Sequence, residues 1–383
     1  METVKLTKKI CFIITDAISF NVLCRGQLEF IRDNSDFDIT LVCGGSQTQL
    51  DILEKRKIGK VINANFKRNP SLLKDTKSLL FLLKYLTLNR FDIVVYSTPK
   101  ALLLGSIASC VTLHKNRVAI VRGRVYENFS GKKRLFFHML DKIALSTSSK
   151  VIFISDSLRQ AYLNDDLIER NKGVLLGSGS SNGVDTINYS PAKNSITERQ
   201  KNDSDTFNVL TVGRICYDKG LYDLAKIINE SKEPKIKFIV VGQIEDKKSE
   251  IFLKDILSAH SNVEHIPHTE DVIKYFQDAD LHLFLSHREG FGNVAIEAAS
   301  CGIPTFAYDV TGIKDSVENG VSGQRFKFKD VKAITEAIDM AANDKEFALR
   351  YIHARDWVIQ NFEQKEVWKN YLDFYLKQIQ SEK

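Results

Sequence analysis

The sequence predicts an α/β protein with two doubly wound, Rossmann-like domains. Short β-rich runs alternate with helical runs, the alternation stops at a polar stretch near residue 190, and it starts again after residue 206. This order of elements is typical of parallel sheets that carry helices on both faces. The length of 383 residues agrees with two domains of about 150–200 residues each.

In the first half, the clearest helical patterns lie among six predicted strands. The strands are Ile10–Thr15, Phe37–Cys43, Asp92–Tyr96, Val118–Val121, Val151–Ile154 and Val174–Leu176. The helices are Leu72–Leu88, Pro99–Leu113 and Lys132–Thr147. The polar stretch that begins at Ser190 contains few apolar residues, and it predicts a linker over residues 189–205. The N-terminal domain therefore spans residues 1–188.

The second half repeats the pattern over residues 206–360. Its predicted strands are Phe207–Val212, Lys237–Val241, Leu281–Leu285 and Thr305–Tyr308. Its predicted helices are Leu221–Glu230, Ser249–His260 and Asn293–Ser300. From about Asp330 the pattern is almost wholly helical, and residues 361–383 form the last helix.

The composition is that of a globular protein without a membrane span. Hydrophobic residues make up 43% of the chain and charged residues 27%. The most apolar run, 78–86, is broken by Lys84 and is too short for a bilayer, which takes about 20 residues. The apolar run 10–14 lacks a following cleavage site, which predicts a first strand and not a signal peptide. The six scattered cysteines indicate free thiols in a reducing cytoplasm.

The net charge of +6 is unevenly distributed. Residues 1–185 contain 28 Lys and Arg against 17 Asp and Glu, whereas the remainder contains 26 against 31. A basic first half suits an anionic membrane face or an anionic lipid-linked substrate, and plain solvated surface charge is an equal alternative. Nucleic acid is not an expected partner, because no aromatic residues interleave with the basic clusters.

The loop before the predicted helix Asn293–Ser300 is the most informative segment. Gly290 and Gly292 allow the backbone to approach a ligand closely. The free amides and the positive dipole end of the helix suit a diphosphate. Glu289 and Glu297 suit the paired hydroxyls of a sugar or a ribose. Taken alone, the segment is also compatible with an ordinary turn that carries two solvated glutamates.

A second segment follows the predicted strand Phe207–Val212. Arg214 and Lys219 lie five residues apart in this loop, so that both can reach one diphosphate. Taken alone, the segment is equally compatible with a basic strand-to-helix turn. Together the two segments indicate more, because both follow the C-terminal ends of strands in the same half, where one ligand can contact both.

These residues resemble glycosyltransferase family 4, the retaining enzymes with two Rossmann domains (GT-B), and the resemblance extends over nearly the whole chain. The family signature of two glutamates separated by seven residues is matched by Glu289 and Glu297. The family's Arg and Lys after the first strand of the C-terminal domain are matched by Arg214 and Lys219. Other similar segments are Phe153–Ser157 and Asn182–Asp185, and Thr98–Ala101 and Gly177–Ser180 resemble enzymes that build bacterial capsule or O-antigen repeats.

The resemblance implies a donor and an acceptor. The donor is a nucleotide sugar, namely a UDP-hexose or a UDP-N-acetylhexosamine, and the acceptor is linked to undecaprenyl diphosphate. The sugar is transferred with retention, by attack on the face from which the diphosphate leaves. The last helix packs back on the N-terminal domain. No metal or other cofactor is expected, because side chains and a helix dipole meet the charge.

The resemblance also implies roles for single residues. Arg214, Lys219 and Glu289 form the catalytic set: the two cations neutralise the leaving diphosphate, and Glu289 holds hydroxyls of the donor sugar. Glu297 binds the ribose. The remaining donor-binding positions act mainly through the backbone, with Phe291, Gly292 and Asn293 toward the sugar, Val294 and Ala295 toward the phosphates, and Gly213 and Gly290 beside them.

The sequence departs from the family in its N-terminal half. Many relatives carry a His where this chain has Val95–Ser97 and another where it has Arg122. No His-assisted step is therefore expected, and Arg122 becomes an acceptor-side candidate. Asp16, Arg25 and Gly26 are weaker acceptor-side candidates near the predicted cleft.

The sequence therefore predicts a retaining glycosyltransferase that moves a hexose or an N-acetylhexosamine to a lipid-linked saccharide in O-antigen or capsule synthesis. It predicts a cytoplasmic protein, and peripheral contact of Leu72–Leu88 and Lys132–Thr147 with the anionic inner membrane face is a further hypothesis. Two alternatives stay open: a sugar-nucleotide epimerase or phosphorylase on the same fold, and a non-catalytic sugar-nucleotide-binding protein.

Overall fold

The computed structural model describes residues 7–67, 69–192 and 206–380. The chain forms two compact units, the first made of Met1–Asn182 with Lys365–Lys383 and the second of Gly183–Gln364. Each unit is built on one parallel sheet whose strands are joined by helices. The predicted fold class of two doubly wound α/β domains is confirmed.

The sheet of the first unit has seven parallel strands in the order β3-β2-β1-β4-β5-β6-β7. The strands are β1 (Lys8–Asp16), β2 (Phe37–Gly44), β3 (Lys60–Asn63), β4 (Ile93–Ser97), β5 (Asn116–Val121), β6 (Lys150–Phe153) and β7 (Gly173–Leu175). Every residue of β4 is buried, as expected of a central strand covered on both faces.

The helices of the first unit lie on opposite faces of this sheet. They are α1 (Ala17–Leu23), α2 (Gln27–Asp33), α3 (Gln47–Lys55), α4 (Leu72–Leu88), α5 (Pro99–Val111), α6 (Gly131–Ser146) and α7 (Asp156–Asn164). The strand order reverses between β1 and β4. Because parallel crossovers are right-handed, helices before and after the reversal cover different faces.

The sheet of the second unit has six parallel strands in the order β10-β9-β8-β11-β12-β13. The strands are β8 (Phe207–Val212), β9 (Ile236–Val241), β10 (Val263–Ile266), β11 (Leu281–Phe284), β12 (Thr305–Tyr308) and β13 (Gly323–Phe326). The order reverses between β8 and β11. A doubly wound sheet binds its ligands beyond the strand ends at such a reversal.

The helices of the second unit enclose two apolar layers. They are α8 (Leu221–Glu230), α9 (Lys247–Ala259), α10 (Ile273–Asp278), α11 (Asn293–Ser300), α12 (Ile313–Ser316), α13 (Val331–Asn343) and α14 (Ala354–Phe362). On one face Ile227 and Ile334 share a buried cluster with Phe238 of the sheet. On the other face Ala298 of α11 packs with Leu210 of β8.

The last helix, α15 (Gln364–Gln380), belongs to the first unit from Lys365 onward. The ring of Tyr375 meets Phe12 of β1 edge to face, with 5.8 Å between the centroids. The ring of Trp368 lies against Gly26, where an added Cβ would approach it to 2.4 Å. Gly26 therefore permits the close approach of α15, which is a structural reason for glycine at this acceptor-side candidate.

The structure divides the chain earlier than the predicted domain end at residue 188. The division follows Asn182, because Val184 already forms a parallel bridge with Glu363 inside the second unit. The predicted linker, 189–205, lies outside the described residues from position 193 onward.

The sequence patterns do not predict three of the strands. β3, β10 and β13 have four residues each and lie at the sheet edges. Both ends of β3 are exposed, so that this strand lacks the continuous apolar run of a central strand. By contrast, α4, α8, α11, β8 and β12 have the predicted bounds.

Candidate functional site

The two predicted segments meet at the strand reversal of the second unit. The loop Gly213–Gly220 follows β8, and the loop Leu285–Gly292 follows β11, its hydrogen-bonded neighbour. The amide of His287 donates to the carbonyl of Asp218 at 2.9 Å. The carboxyl ends of two adjacent strands thus bring the predicted donor-binding loops into one site, as the sequence predicts.

Lys219 and Glu289 form an ion pair across these loops. The side chains are 25% and 17% exposed, so that each keeps a face toward solvent. A second pair joins the same two loops: Arg288 donates to Asp218 Oδ2 from Nη2 at 2.8 Å and from Nε at 3.2 Å. The two bridges hold the loops together and present Lys219 beside a carboxylate that can accept hydroxyl donors.

Arg214 belongs to the first of these loops and is exposed. Its Nη1 is 2.5 Å from Glu245 Oε2, and both side chains are largely exposed. A pocket lies between the loops. It is lined by Thr211, Val212, Gly213, Arg214, Cys216, Lys219, Phe284, Leu285 and Ser286, among others. The guanidinium and the ammonium predicted to bind one diphosphate therefore line one pocket.

Helix α11 begins directly after the loop that carries Glu289. Its N-cap, Gly292, adopts a left-handed conformation with φ 91° and, as a glycine, has no side chain of its own to cap the helix. A Cβ at this position would lie 2.7 Å from the Phe284 ring and 2.9 Å from Ser316 Oγ. Amides in a first turn have no preceding helical carbonyl, and the dipole there favours an anion. The Ala295 amide, predicted to bind phosphate, donates to the carbonyl of Gly292 at 3.0 Å.

Glu297 lies one turn into α11 and is only partly exposed. Burial raises the pKa of its carboxyl to about 7. The described part of the chain provides no hydrogen-bond donor to this carboxyl. Hydroxyl donors from a ligand would stabilise the charged form, so the position suits the predicted recognition of a ribose.

A buried pair of His287 and Asp223 lies next to the site, and the sequence patterns did not predict it. His287 Nε2 is 2.9 Å from Asp223 Oδ2, and both side chains are buried. The rings of Phe328 and Tyr217 meet the imidazole edge to face, with centroids 5.2 and 5.1 Å away. Asp223 lies on α8, 64 residues from His287, and no local spacing links two such positions.

The first unit holds the acceptor-side candidates. Asp16 caps α1, and its Oδ1 accepts a hydrogen bond from the Ile18 amide at 3.0 Å. Arg25 is exposed, and its carbonyl accepts from Asn182 Nδ2 at 3.0 Å. Local structure therefore accounts for Asp16, and the described contact of Arg25 involves only its backbone.

Arg122 differs from Arg25 because its guanidinium is part-buried and makes several described contacts, all of them with neutral groups. Its Nε donates to Ser97 Oγ at 3.0 Å, its Nη1 donates to Ser181 Oγ, and its Nη2 lies 3.6 Å from Cys24 Sγ. Over the described ranges, no carboxylate lies within ion-pair distance of its guanidinium. A part-buried cation at the end of β5 with neutral neighbours suits an anionic ligand.

Side chains that ligate metals do not cluster in the described part of the chain. No group of three or more His, Cys, Asp and Glu residues is placed to hold an ion there. His114 is buried after α5, and burial lowers its pKa to about 4. Asp280 accepts a hydrogen bond from the Asn208 amide at 2.7 Å, which ties β11 to β8.

The architecture and the two loops at the strand reversal are those of a known class of enzyme. Two doubly wound α/β units, the second with cations, glutamates and a helix N-terminus at its strand reversal, form the GT-B architecture of glycosyltransferases. A solved structure, Anabaena HepE in complex with UDP, superposes with a TM-score of 0.76 at 19% identity, over 96% of this chain and 100% of that one.

Sequence comparison identifies the family. The model for glycosyl transferases group 1 matches residues 193–356. The capsular polysaccharide biosynthesis glycosyltransferase CapM of Staphylococcus aureus is 35% identical over 376 residues, which cover 96% of this chain and 97% of CapM. The UDP-Gal:alpha-D-GlcNAc-diphosphoundecaprenol alpha-1,3-galactosyltransferase of Escherichia coli is 25% identical, over 86% of each chain. The chain belongs to the glycosyl transferases group 1 family, and it is a glycosyltransferase.

Proposed function

We propose that the chain transfers a hexose or an N-acetylhexosamine, with retention, from a UDP-sugar to a lipid-linked saccharide during synthesis of a bacterial surface polysaccharide. The observation that carries the proposal is the meeting of two loops: Arg214 and Lys219 line one pocket, Lys219 pairs with Glu289, and the loop that carries Glu289 leads into α11. The relatives named above support the polysaccharide and the lipid-linked acceptor, because their names state such substrates or pathways.

The proposed chemistry is charge neutralisation at the leaving group. Breaking the sugar–phosphate bond leaves the extra negative charge on the diphosphate, where Lys219 and Arg214 meet it. The α11 dipole adds a fixed positive end, and preorganised groups of this kind stabilise a transition state without reorganisation. The proposal therefore requires no metal ion.

Recognition of the donor is assigned to the remaining residues. Glu289 accepts hydroxyls of the transferred sugar, and Glu297 accepts those of the ribose. The backbone positions serve the sugar and the phosphates. They are Gly213, Gly290, Phe291, Gly292, Asn293, Val294 and Ala295. In a retaining reaction the acceptor hydroxyl attacks the face that the diphosphate leaves.

The acceptor is proposed to carry a diphosphate, as undecaprenyl-linked saccharides do. Arg122 is the candidate for this group, because its guanidinium contacts only hydroxyls and a thiol among the described residues. Asp16, Arg25 and Gly26 remain weaker acceptor-side candidates.

The exposed face of α6 is proposed to rest on an anionic membrane surface. Leu135, Phe136, Met139 and Ile143 form an exposed apolar stripe on this helix, and Lys132, Lys133, Arg134 and Lys142 are exposed beside it. Apolar residues flanked by basic ones favour the interface of anionic lipid. Within the described ranges, no helix has both the length and the apolar character that crossing a bilayer takes.

Vesicle flotation tests the membrane contact. Wild type should float with vesicles rich in phosphatidylglycerol at low salt, and Met139→Asp should reduce the floating fraction severalfold. Met340→Asp is the control, because Met340 is even more exposed than Met139 but lies on α13 of the second unit. Equal flotation of the two variants, or no flotation of wild type, would reject this surface.

Ligand-induced stabilisation tests the donor site. A thermal-shift panel of UDP, GDP, ADP and their sugar conjugates is measured on wild type, Lys219→Ala and Lys237→Ala. A ligand at 100 times its Kd adds about 2.7 kcal/mol, or roughly 5–10 °C for a unit of this size. We expect shifts with uridine nucleotides that Lys219→Ala abolishes. Lys237 is the control because its pair with Glu264 is an exposed one in the same unit.

Transfer itself is tested with a lipid-diphosphate saccharide as acceptor. UDP release that depends on the acceptor would distinguish transfer from isomerisation of the donor, and the anomeric proton coupling in the product reports retention or inversion. No shift with any nucleotide, or UDP release that ignores the acceptor, would contradict the proposed function.

A further inference from the structure

The loop after β9 runs beside the loop that carries Arg214. The amide of Ile215 donates to the carbonyl of Gln243 at 2.8 Å, and the amide of Glu245 donates to the carbonyl of Ile215 at 3.1 Å. These bonds extend the parallel pairing of β8 and β9 beyond the strand ends. A Cβ on Gly242 would lie 1.8 Å from the Gly213 carbonyl oxygen, so only glycine permits this approach.

The extended pairing places a carboxylate on the proposed diphosphate site. Glu245 Oε2 lies 2.5 Å from Arg214 Nη1. The side chains are 44% and 56% exposed, and exposed ion pairs of this kind contribute little to stability. The electrostatic influence of Glu245 extends to the neighbouring Cys216 thiol. Burial is the main reason that the pKa of this thiol is raised, and the Glu245 carboxylate raises it further.

A diphosphate bound to Arg214 has to share the guanidinium with Glu245. Glu289, the other carboxylate paired with a site cation, has a proposed sugar to bind, whereas Glu245 has no assigned ligand. The two ligands of the reaction differ in charge, since UDP ends in a terminal phosphate that loses its last proton at about pH 6, much as a phosphate monoester does. At neutral pH, UDP therefore carries about one more negative charge than the UDP-sugar and is repelled more strongly by a nearby carboxylate.

We infer that Glu245 is a specificity-determining residue that weakens binding of the nucleoside diphosphate product relative to the nucleotide-sugar donor. The inference rests on the proposed function, in which Arg214 binds the diphosphate. Glu245 thereby favours exchange of product for donor, and its effect is electrostatic and acts through Arg214.

Titration calorimetry on the full chain tests the inference. Kd is measured for UDP and UDP-glucose, with GDP and GDP-mannose as a second pair, on wild type, Glu245→Gln and Glu264→Gln. Glu264 is the matched control because it pairs with Lys237 at 2.6 Å, is similarly exposed and belongs to the same unit. We expect Glu245→Gln to tighten the nucleoside diphosphate threefold to tenfold and the sugar conjugate less than twofold. In the Glu264→Gln control, the Kd values for the nucleoside diphosphate and for the sugar conjugate should both stay within twofold of wild type.

The salt dependence gives a second readout, because an exposed charge effect is screened at high ionic strength. The gain in UDP affinity should shrink at 0.5 M NaCl. Unchanged or weaker UDP binding by Glu245→Gln would overturn the inference and assign Glu245 to positioning Arg214. If Glu245→Gln tightened UDP and UDP-glucose equally, Glu245 would not discriminate between product and donor, and the inference would be overturned. If wild type binds neither nucleotide pair, both the proposed donor site and the inference fail. If wild type binds the nucleotides and Glu245→Gln leaves their Kd values unchanged, only the inference fails.

Discussion

At the residue scale, the candidate site combines paired cations with a carboxyl that has no protein hydrogen bond among the described residues. Lys219 and Arg214 each have an acidic neighbour, whereas burial dominates the environment of the Glu297 carboxyl. A nearby carboxylate stabilises the charged form of a cation, whereas burial makes the ionisation of a carboxyl sensitive to pH and to hydrogen-bond donors. Glu297 is therefore the site residue whose titration should be visible in the stability of the protein.

Stability should depend on pH through Glu297. Burial raises its pKa from 4.5 to about 7, so the folded chain holds this proton more tightly than the unfolded chain. Stability is then lost as pH rises through that window, because ionisation is disfavoured in the folded state. Relative to wild type, Glu297→Gln should gain on the order of 2 kcal/mol between pH 5 and pH 8. Thermal unfolding from pH 5 to 8.5 measures this, and a constant offset would contradict it.

The buried His287–Asp223 pair should be a large local contribution to stability. His287→Ala leaves a buried carboxylate without its partner, which should lower the free energy of unfolding by about 2–4 kcal/mol. Urea denaturation measures the change. The control is Lys254→Ala, which removes an exposed pair with Glu250 on one helix turn and should cost less than about 0.5 kcal/mol. Similar losses in both variants would show that the pair has no special role.

Among the elements, α14 contacts both the loop Leu285–Gly292 and the segment with which the second unit begins. Phe362 meets Phe291 edge to face at 5.1 Å. Arg355 donates to the carbonyls of Ser300 at 2.6 Å and Thr186 at 2.8 Å. One side chain thus ties α14 both to the end of α11 and to the segment after residue 183.

Replacement of Arg355 should loosen this junction. Arg355→Met leaves at least two backbone carbonyls without their donor, and the expected loss is about 2–3 kcal/mol of unfolding free energy. Arg355→Lys should recover only part of it, because one ammonium cannot reproduce the planar fork. Arg350→Met is the control, since Arg350 is 64% exposed. Urea denaturation of the three variants compares them, and a loss no larger than the control's would refute the assigned role.

In the molecule as a whole, the two units share a doubly wound parallel sheet but differ in net charge. The basic residues concentrate before residue 185 and the acidic excess after it. The proposed membrane surface on α6 lies in the basic unit, and the candidate donor pocket lies in the other. The proposed acceptor-side residues and the candidate donor pocket therefore belong to different units.

Nucleotide binding should leave a localised footprint. With saturating UDP, amide exchange should slow in residues 213–220 and 285–297, which form the two loops and the first turns of α11. Peptides from α13 serve as an internal control, because that helix packs on the core side of α8. Hydrogen exchange with mass spectrometry measures both. Protection that misses these two loops would place the ligand elsewhere.

Much of the fold and part of the site could be predicted from sequence. The central strands could be predicted because each has an apolar run of the length typical of a buried strand. The helices α4, α8 and α11 have the predicted bounds. The loops after β8 and β11 were predicted as one site, because strand ends in a parallel sheet meet at one edge. The short edge strands β3, β10 and β13 were not predicted, since they lack a buried run.

The alternation of elements, the glycines of the loops and the types of charge in those loops can be read from local spacing along the chain. Which of these charges meet depends on how the chain packs. Glu245 reaches Arg214 across 31 residues, Glu289 reaches Lys219 across 70, and Asp223 reaches His287 across 64. Such pairs depend on strand order and on the register of β8, β9 and β11. Register is a property of the packed sheet, and no spacing along the chain encodes it.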